Sequence, residues 1–185
     1  HRLMIPIIHR SKLRQSYSTN FNKWFSEERG ELFDIKIRYQ LYSDEATFPW
    51  NCKLSSLLEA HILNKVFKNK NLGNFFRPSG EIVFYHDAPV HWGKIFDFIP
   101  EYEEGGISKR SSHLKDIRFE NSTIKEAVIS FLNSSSFYWF NWQYTNCRDL
   151  TKGNIQISRF QVDSIKNEIS VQLSKMCRKL MLDLK

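Results

Sequence analysis

The sequence predicts an α+β fold, in which mixed strands pack on three main helices at about residues 53–68, 123–144 and 163–184. Two patterns support this class. Residues 34–42 alternate apolar and polar side chains, which is typical of a half-buried strand. The three helical stretches instead repeat their apolar residues at the spacing of one helix face. Because strand and helix patterns occupy separate stretches of the chain, the fold is expected to be α+β.

The amino-terminal part is predicted to begin with a strand and a basic segment. Residues 2–8, RLMIPII, form a short apolar run that Pro6 restricts to a sheet edge or a terminus. The polar sequence after it contains Arg10, Lys12 and Arg14, which are suited to contact with a phosphate backbone. A solvated loop is the alternative and the favoured interpretation. A short helical turn around the sequence SEERGEL is then expected before the strand at residues 34–42.

The middle of the chain is predicted to contain a helix, a loop and a pair of strands. The helix at residues 53–68 is amphipathic and ends in a lysine-rich run, which suits the helix dipole without any ligand. Residues 71–80 contain Gly and Pro and are expected to form a loop. Two strands follow, at residues 82–85 and 90–98.

The turn between those strands raises the question of a metal site. His86, Asp87 and His91 are close in sequence, and these are residue types that bind metals. Their spacing matches no standard ligand motif. No metal site is therefore predicted.

Residues 123–144 form the central apolar element of the sequence. Thr123 and Glu126 have the spacing of a capping box, so a helix is expected to begin there. The stretch is aromatic almost all round, which predicts burial against several partners. Residues 154–160 are predicted to form a weak strand, and Asp163 is expected to cap the final helix.

A cluster of cations and hydroxyls precedes the central helix. The residues concerned are Lys109, Arg110, Ser111, Ser112 and Lys115. Short hydroxyls hold phosphodiester oxygens by hydrogen bonds and cations hold them by charge. These five residues are the first candidates for DNA-backbone contacts.

Composition and charge agree with a globular protein that has an anionic partner. At 185 residues the chain is most simply one domain, with a net charge of +7 and a pI near 9.3. Such a balance attracts phosphate, although a basic surface without a ligand explains it as well. The chain begins at His1 in strand-like sequence, and it is therefore expected to be a piece of a longer protein.

The cysteines and the hydropathy pattern predict a cytoplasmic protein. Cys52, Cys147 and Cys177 are isolated and odd in number, which favours reduced thiols over a disulfide framework. The sequence has neither a long apolar run nor a signal peptide.

Familiar catalytic patterns are missing from the sequence. It contains no GxGxxG, Walker loop, HExxH or GxSxG motif. The acid-Pro-Pro-aromatic tetrapeptide of amino-methyltransferases does not occur either. The densest group of carboxylates, at Glu101, Glu103 and Glu104, lies in a hydrophilic loop and is better explained as a solvated face. No catalytic residue is predicted.

The order of segments nevertheless resembles a known family. The resemblance is carried by RLMIPII at residues 2–8, YSTNFNKWFSEERGELFDIKIRY at 17–39, EIVFYHDAPVHWGKIFDFIP at 81–100, SKRSSHLKDIRF at 108–119 and AVISFLNSSSFYWFNWQYTNCRDL at 127–150. Together these are similar to the region that follows the catalytic domain in N6-adenine DNA methyltransferases, especially type IIG restriction–modification enzymes. The most specific part is the last, although Asn146 stands where the family usually has Asp.

The resemblance implies a carboxy-terminal, target-recognition piece similar to the Taq-type specificity domain. Residues 1–160 carry the similarity, and the terminal helix at 161–185 matches no named segment. The resemblance further implies that catalytic motifs and S-adenosylmethionine binding lie upstream in the parent chain. This chain would then hold double-stranded DNA while the methyltransferase domain extrudes the adenine. Arg10, Lys12, Arg14 and Arg77 are further candidates for backbone contacts.

Two other functions stay open at the level of sequence. The chain is alternatively a structural connector that docks the catalytic and specificity domains and contacts DNA little. An autonomous enzyme with a new type of site is the third possibility, which would require convergent polar groups in a deep pocket.

Overall fold

The computed structural model of the chain describes most of its residues. They are residues 16–20, 25–31, 34, 37–42, 52–89, 93–145, 148–160, 162 and 167–185. The chain divides into two compact units, His1–Lys68 and Asn69–Lys185. Helices and antiparallel sheets occur together, so the predicted α+β class is confirmed.

The first unit contains a small strand pair and a capped helix. Strand β1 (Ser16–Ser18) pairs antiparallel with β2 (Gln40–Tyr42), a 3-10 helix covers Ser26–Glu31, and helix α1 covers Leu57–Val66. The predicted strand at residues 34–42 is therefore strand only in its last part among the residues described, and the predicted helix at residues 53–68 is shorter than expected.

Serine side chains explain why α1 begins late. Ser56 caps the helix, because its Oγ accepts a hydrogen bond from the Glu59 backbone N–H at 3.3 Å. The Glu59 carboxylate in turn accepts from the backbone N–H of Ser55, the residue before the cap, at 2.7 Å, so side chains satisfy backbone N–H groups on both sides of the helix start. Before the helix, Cys52 and Leu54 are buried.

The second unit is built on a three-stranded antiparallel sheet. Strand β3 (Phe76–His86) lies in the centre, with β4 (Ile95–Phe96) on one side and β7 (Leu114–Phe119) on the other. A small hairpin of β5 (Glu103–Glu104) and β6 (Ile107–Ser108) stands between β4 and β7 in the sequence.

Strand β3 contains a bulge, and one position in it requires glycine. Both Phe76 and Glu81 pair with Phe119, so the residues between them are looped out of the ladder. Gly80 in this loop has φ of +122°, and a Cβ there would lie 2.3 Å from the Phe119 carbonyl oxygen. The long β3 therefore replaces the loop that the sequence predicted at residues 71–80, together with a 3-10 helix at Leu72–Phe75.

Helices cover one face of this sheet. Helix α2 (Ser122–Leu132) packs on β3, β4 and β7, and α5 (Asn167–Asp183) packs along α2. The core between them includes Val83, Ile117, Phe119, Val128, Ile129, Leu132, Cys177 and Met181. Burial of these apolar side chains is the main stabilising term of the unit.

The long central helix predicted at residues 123–144 is wrong, because the structure has two helices there. Helix α2 ends at Leu132, and α3 (Ser135–Tyr144) begins after a break at Asn133 and Ser134. Ser134 Oγ accepts from the Phe137 backbone N–H at 3.2 Å and so caps α3. The predicted capping box is also wrong, since Asn121 caps α2 by accepting from the Ile124 N–H at 3.0 Å.

Two further expectations need correction in the carboxy-terminal half. Residues 154–160 were expected as a strand, but Lys152–Ile157 form helix α4, with Thr151 accepting from the Asn154 N–H as its cap. Strand β7 was not expected at all. The start of the final helix at Asp163 lies outside the described residues, and α5 is described from Asn167.

Candidate nucleic-acid interface

The cation and hydroxyl cluster follows directly from the β5–β6 hairpin. Gly105 and Gly106 form its tight turn with φ of +64° and +78°. The Lys109 backbone N–H donates to the Tyr102 carbonyl at 2.9 Å and closes the base of the hairpin. Every residue from 101 to 110 is exposed, and Ile107 near the tip is 68 % exposed. The hairpin and the cations after it therefore lie on the surface.

Every candidate cation in the described part of the chain has a carboxylate partner. Lys109 pairs with Glu104, Arg110 Nη2 lies 3.5 Å from Asp116 Oδ1, and Lys115 Nζ lies 3.6 Å from Asp87 Oδ2. Arg77 Nη2 lies 3.0 Å from Glu120 Oε2. The sequence predicted a face of positive charge, and the structure places a compensating negative charge beside each of these four residues.

These ion pairs are on the surface. The Lys109, Arg110 and Lys115 side chains are 49, 48 and 47 % exposed, respectively. Surface pairs of this kind contribute about 0–1 kcal/mol each, because water screens both charges. A phosphate oxygen can therefore replace the carboxylate at small cost.

Arg110 is held by an aromatic ring as well as by charge. Its guanidinium carbon lies 5.5 Å from the centre of the Phe84 ring, a cation–π arrangement. Phe84 and Asp116 are directly opposite in the β3–β7 ladder. The Arg110 side chain thus lies over both residues of one cross-strand pair, which fixes its position on the sheet surface.

The two candidate hydroxyls differ in their surroundings. Ser111 Oγ accepts a hydrogen bond from the His113 backbone N–H at 3.3 Å, within the turn that leads into β7. Ser112 is exposed, and its carbonyl accepts from Lys115 Nζ at 2.7 Å. Both serines lie on the same short segment as the three cations.

Arg77 does not belong to this cluster. It lies at the start of β3, close to Glu120 after the end of β7, whereas Lys115 is near the start of β7. The length of β7 separates them by roughly 17 Å at 3.4 Å per residue. Arg10, Lys12 and Arg14 lie outside the described residues.

A histidine and carboxylate group adjoins the cations. His113 Nδ1 lies 2.7 Å from Asp87 Oδ1, and the His86 and His113 rings stack with centres 5.4 Å apart. Desolvation lowers the pKa of His86, and the nearby charges of Lys94 and His113 act in the same direction. Among the residues that the structure describes, no group of three side chains is arranged to bind a metal. His91 is outside those residues.

A shallow depression lies beside the same carboxylates. Its volume is about 430 Å³, and it is lined by Tyr85, Asp87, Leu114, Lys115, Asp116, Thr151 and Lys152. Burial raises the pKa of Tyr85, with further contributions from the charges of Asp87 and Asp116. Asp87 and Asp116 thus act on Tyr85 as well as on the candidate cations.

Sequence reasoning missed Asp87 and Lys152 as neighbours of the cluster. The Leu150 backbone N–H donates to the Asp87 carbonyl at 2.8 Å, which brings the chain before α4 to the end of β3. No local pattern indicates this contact, because 63 residues separate the two positions in the numbering (150 less 87). The sequence did show the Asp87 carboxylate next to His86, but it was interpreted only as a candidate metal ligand.

Comparison with known proteins gives no relative for this chain. No protein-family model, no curated protein and no solved structure matches it.

One structural finding bears on the membrane. In the parts of the chain that the structure describes, every helix is too short or too polar to span a bilayer.

Proposed function

We propose that this chain is a DNA-binding, target-recognition module of an N6-adenine-specific DNA methyltransferase of the type IIG restriction–modification class. The proposal combines the sequence resemblance with one structural observation. Three exposed cations, the exposed Ser112 and the half-buried Ser111 lie on one short segment, residues 109–115, at one end of the sheet. This is the combination of groups that positions a protein on a sugar-phosphate backbone.

In this proposal the chain binds DNA and performs no chemistry. S-adenosylmethionine binding and methyl transfer belong to an upstream domain of the parent protein. Lys109, Arg110 and Lys115 exchange their carboxylate partners for phosphates, and Ser111 and Ser112 donate to phosphate oxygens. Arg77 provides a separate contact about 17 Å away along the strand direction. Arg10, Lys12 and Arg14 complete the proposed set.

Salt-dependent DNA binding tests the proposal. The chain should bind a labelled duplex with an affinity that falls steeply between about 50 and 200 mM salt, because each phosphate contact releases condensed counterions. Lys109→Ala with Lys115→Ala should weaken binding and reduce the salt slope by about two. The measurement is fluorescence anisotropy across a salt series.

A matched control separates this site from overall charge. Lys175→Ala with Lys179→Ala removes the same amount of charge from exposed positions on α5. This pair should leave the salt slope unchanged. Equal losses from both double variants would show that DNA responds only to net charge, and a lack of binding by the unaltered chain would refute the proposed function.

A structural connector is the second candidate, and specific observations favour it. The candidate cations are already paired within the chain, so a phosphate partner is not needed to balance them. Helix α3 contains no charged residue, and Tyr138 on it is 40 % exposed. Val171 and Leu182 on α5 are 68 and 71 % exposed, which is typical of a surface that contacts another domain. A connector predicts little DNA binding at any salt concentration.

A further inference from the structure

We propose that four carboxylates limit the affinity of this chain for DNA of any sequence. They are the partners of the candidate cations, namely Asp87, Glu104, Asp116 and Glu120, and are called here the paired carboxylates. The inference rests on the proposed function, since it concerns how tightly the same surface binds DNA. It assigns a role to residues that do not themselves contact the bases.

The first basis is the regularity of the pairing. Arg77, Lys109, Arg110 and Lys115 are the four candidate cations in the described residues, and each one has a carboxylate within ion-pair distance. The partners come from different parts of the unit: the end of β3, the β5–β6 hairpin and the strand β7 with the residue after it. The negative charge is therefore distributed to match the cations, rather than gathered in one acidic loop.

The second basis is the fixed position of Asp87. Its backbone N–H donates to the His113 carbonyl at 2.9 Å, and its carbonyl accepts from the Leu150 N–H at 2.8 Å. Its carboxylate lies 2.7 Å from His113 Nδ1 and 3.6 Å from Lys115 Nζ. The Asp87 side chain is 29 % exposed, less than Lys115 at 47 %. The Asp87 carboxylate therefore stays near Lys115 even when a phosphate contacts the lysine.

Asp116 is also held in place, because it lies within the β3–β7 ladder opposite Phe84. Glu104 differs, since its side chain is 59 % exposed on the small hairpin and is free to reorient. The effect of removing a carboxylate should consequently be greatest for the two aspartates.

The consequence for DNA binding follows from charge. A phosphate that contacts Lys115 or Arg110 must displace a carboxylate and then remain close to it, and like charges at short distance repel. This lowers the sequence-independent part of the affinity, which is mainly electrostatic. Contacts to base edges are not lowered in the same way, because they depend on hydrogen bonds and on shape. A complex at a preferred site uses the same phosphate contacts, so its affinity is lowered as well.

Neutralising the two aspartates tests the inference. Asp87→Asn with Asp116→Asn keeps the side-chain size and removes two negative charges. The variant should bind a mixed-sequence duplex about tenfold more tightly at about 50 mM salt and show a steeper salt dependence than the unaltered chain. The measurement is fluorescence anisotropy with the full 185-residue chain.

A charge-matched control makes the test specific to the pairing. Glu101→Gln with Glu103→Gln also removes two negative charges, from exposed residues near the same hairpin whose carboxylates are not partners of the four cations. Its affinity should rise less than threefold. Glu104→Gln removes a paired carboxylate at a highly exposed position, where the change should not disturb folding. Its affinity for the duplex should rise by an intermediate amount.

The outcomes separate this inference from the proposed function. Suppose that the unaltered chain binds DNA and that the affinity rises equally in both double variants. The paired carboxylates then have no special role, so the inference is overturned while the proposed function stands. If the affinity rises strongly only in the variant that lacks the two aspartates, the inference is supported. If no form of the chain binds DNA at any salt concentration, both proposals fail together.

Discussion

Cys177 shows how burial decides the chemistry of a single residue. The thiol lies on α5 and is 2 % exposed within the core of the second unit. Desolvation, with the charges of Glu126 and Asp97, raises the pKa of Cys177 from an ordinary value of 9.0 to about 11. Because the thiolate is the reactive form, this cysteine is protected from oxidation and metal binding while the unit is folded.

The raised pKa of Cys177 predicts a loss of stability in alkaline solution. The Cys177 thiol ionises near pH 9 in the unfolded chain and near pH 11 in the folded chain. Its contribution to the free energy of unfolding is therefore fully present below pH 9 and is lost as pH rises towards 11. Urea denaturation from pH 8 to about 11 measures this fall. Cys177→Ala should lower stability at all pH values but show a shallower decline with pH. An identical decline would mean that Cys177 does not titrate in this range.

The pKa of Glu126 is shifted in the opposite direction to that of Cys177. Burial raises the pKa of its carboxyl, but hydrogen bonds from Arg178 and Ser174 and the charges of Arg178 and Lys125 outweigh burial, so that the pKa lies below its usual value. The distance from Arg178 Nε to Glu126 Oε1 is 2.8 Å, and this pair joins α5 to α2.

The lowered pKa of Glu126 predicts a loss of stability in acid. Its contribution to the free energy of unfolding is present above about pH 4.5, the ordinary value, and is lost as pH falls through the lower folded value. Glu126→Gln should therefore be less stable at pH 7 and lose less stability on acidification. Arg178→Gln is the companion variant, and it should remove the same pH dependence. Circular dichroism melts from pH 7 to about 3 provide the comparison.

Among the elements, the junction between α2 and α3 depends on one amide. Asn133 Nδ2 donates to the Ile95 carbonyl at 3.0 Å and to the Ile129 carbonyl at 3.1 Å, while Oδ1 accepts from the Ile95 N–H at 3.4 Å. The side chain therefore pairs with the edge strand β4 as a neighbouring strand would. It holds the helix break against the sheet.

Asn133→Ala tests this role. The change leaves the Ile95 backbone groups without their partner, and an unsatisfied buried group costs about 1–3 kcal/mol. Asn133→Asp turns a carboxylate oxygen towards the Ile95 and Ile129 carbonyls, so its loss should be at least as large. Ser136→Ala, at an exposed position of α3, is the control and should change the free energy of unfolding by less than about 0.5 kcal/mol. A loss below that value for Asn133→Ala would contradict the role.

The elements also show how far sequence patterns reach. The fold class and the strand at residues 82–85 were predictable, because alternation and helical spacing are local signals. Strand β7 was missed because Lys115, Asp116 and Arg118 break its apolar pattern, and its pairing with β3 comes from a distant part of the chain. The ion pairs of the candidate site were missed for the same reason, since their partners meet only in the folded unit.

At the scale of the whole molecule, the core belongs to one of the two units. Among the residues that the structure describes, the buried members of the main hydrophobic cluster lie between Leu72 and Met181, within the unit Asn69–Lys185. A unit that contains its own core can fold without the rest of the chain. We expect a protein of residues 69–185 to be folded by itself.

The expected result for residues 69–185 is a dispersed amide spectrum and one cooperative thermal transition. The matched control is the same piece carrying Ile129→Ala, which should lower the free energy of unfolding by about 2–5 kcal/mol because Ile129 is fully buried. A broad transition without dispersed resonances would show that the unit needs residues 1–68. DNA binding by the piece would also show which unit carries the proposed contacts.

The charged residues of β7 have a consequence for self-association. Within the described residues β7 pairs with β3 on one side and has no strand on the other, so its outer backbone groups could template the addition of a foreign strand. Lys115, Asp116 and Arg118 oppose this, since an incoming apolar segment would have to strip water from three charges. The same charged residues that break the apolar pattern of β7 in the sequence therefore protect its unpaired edge from aggregation.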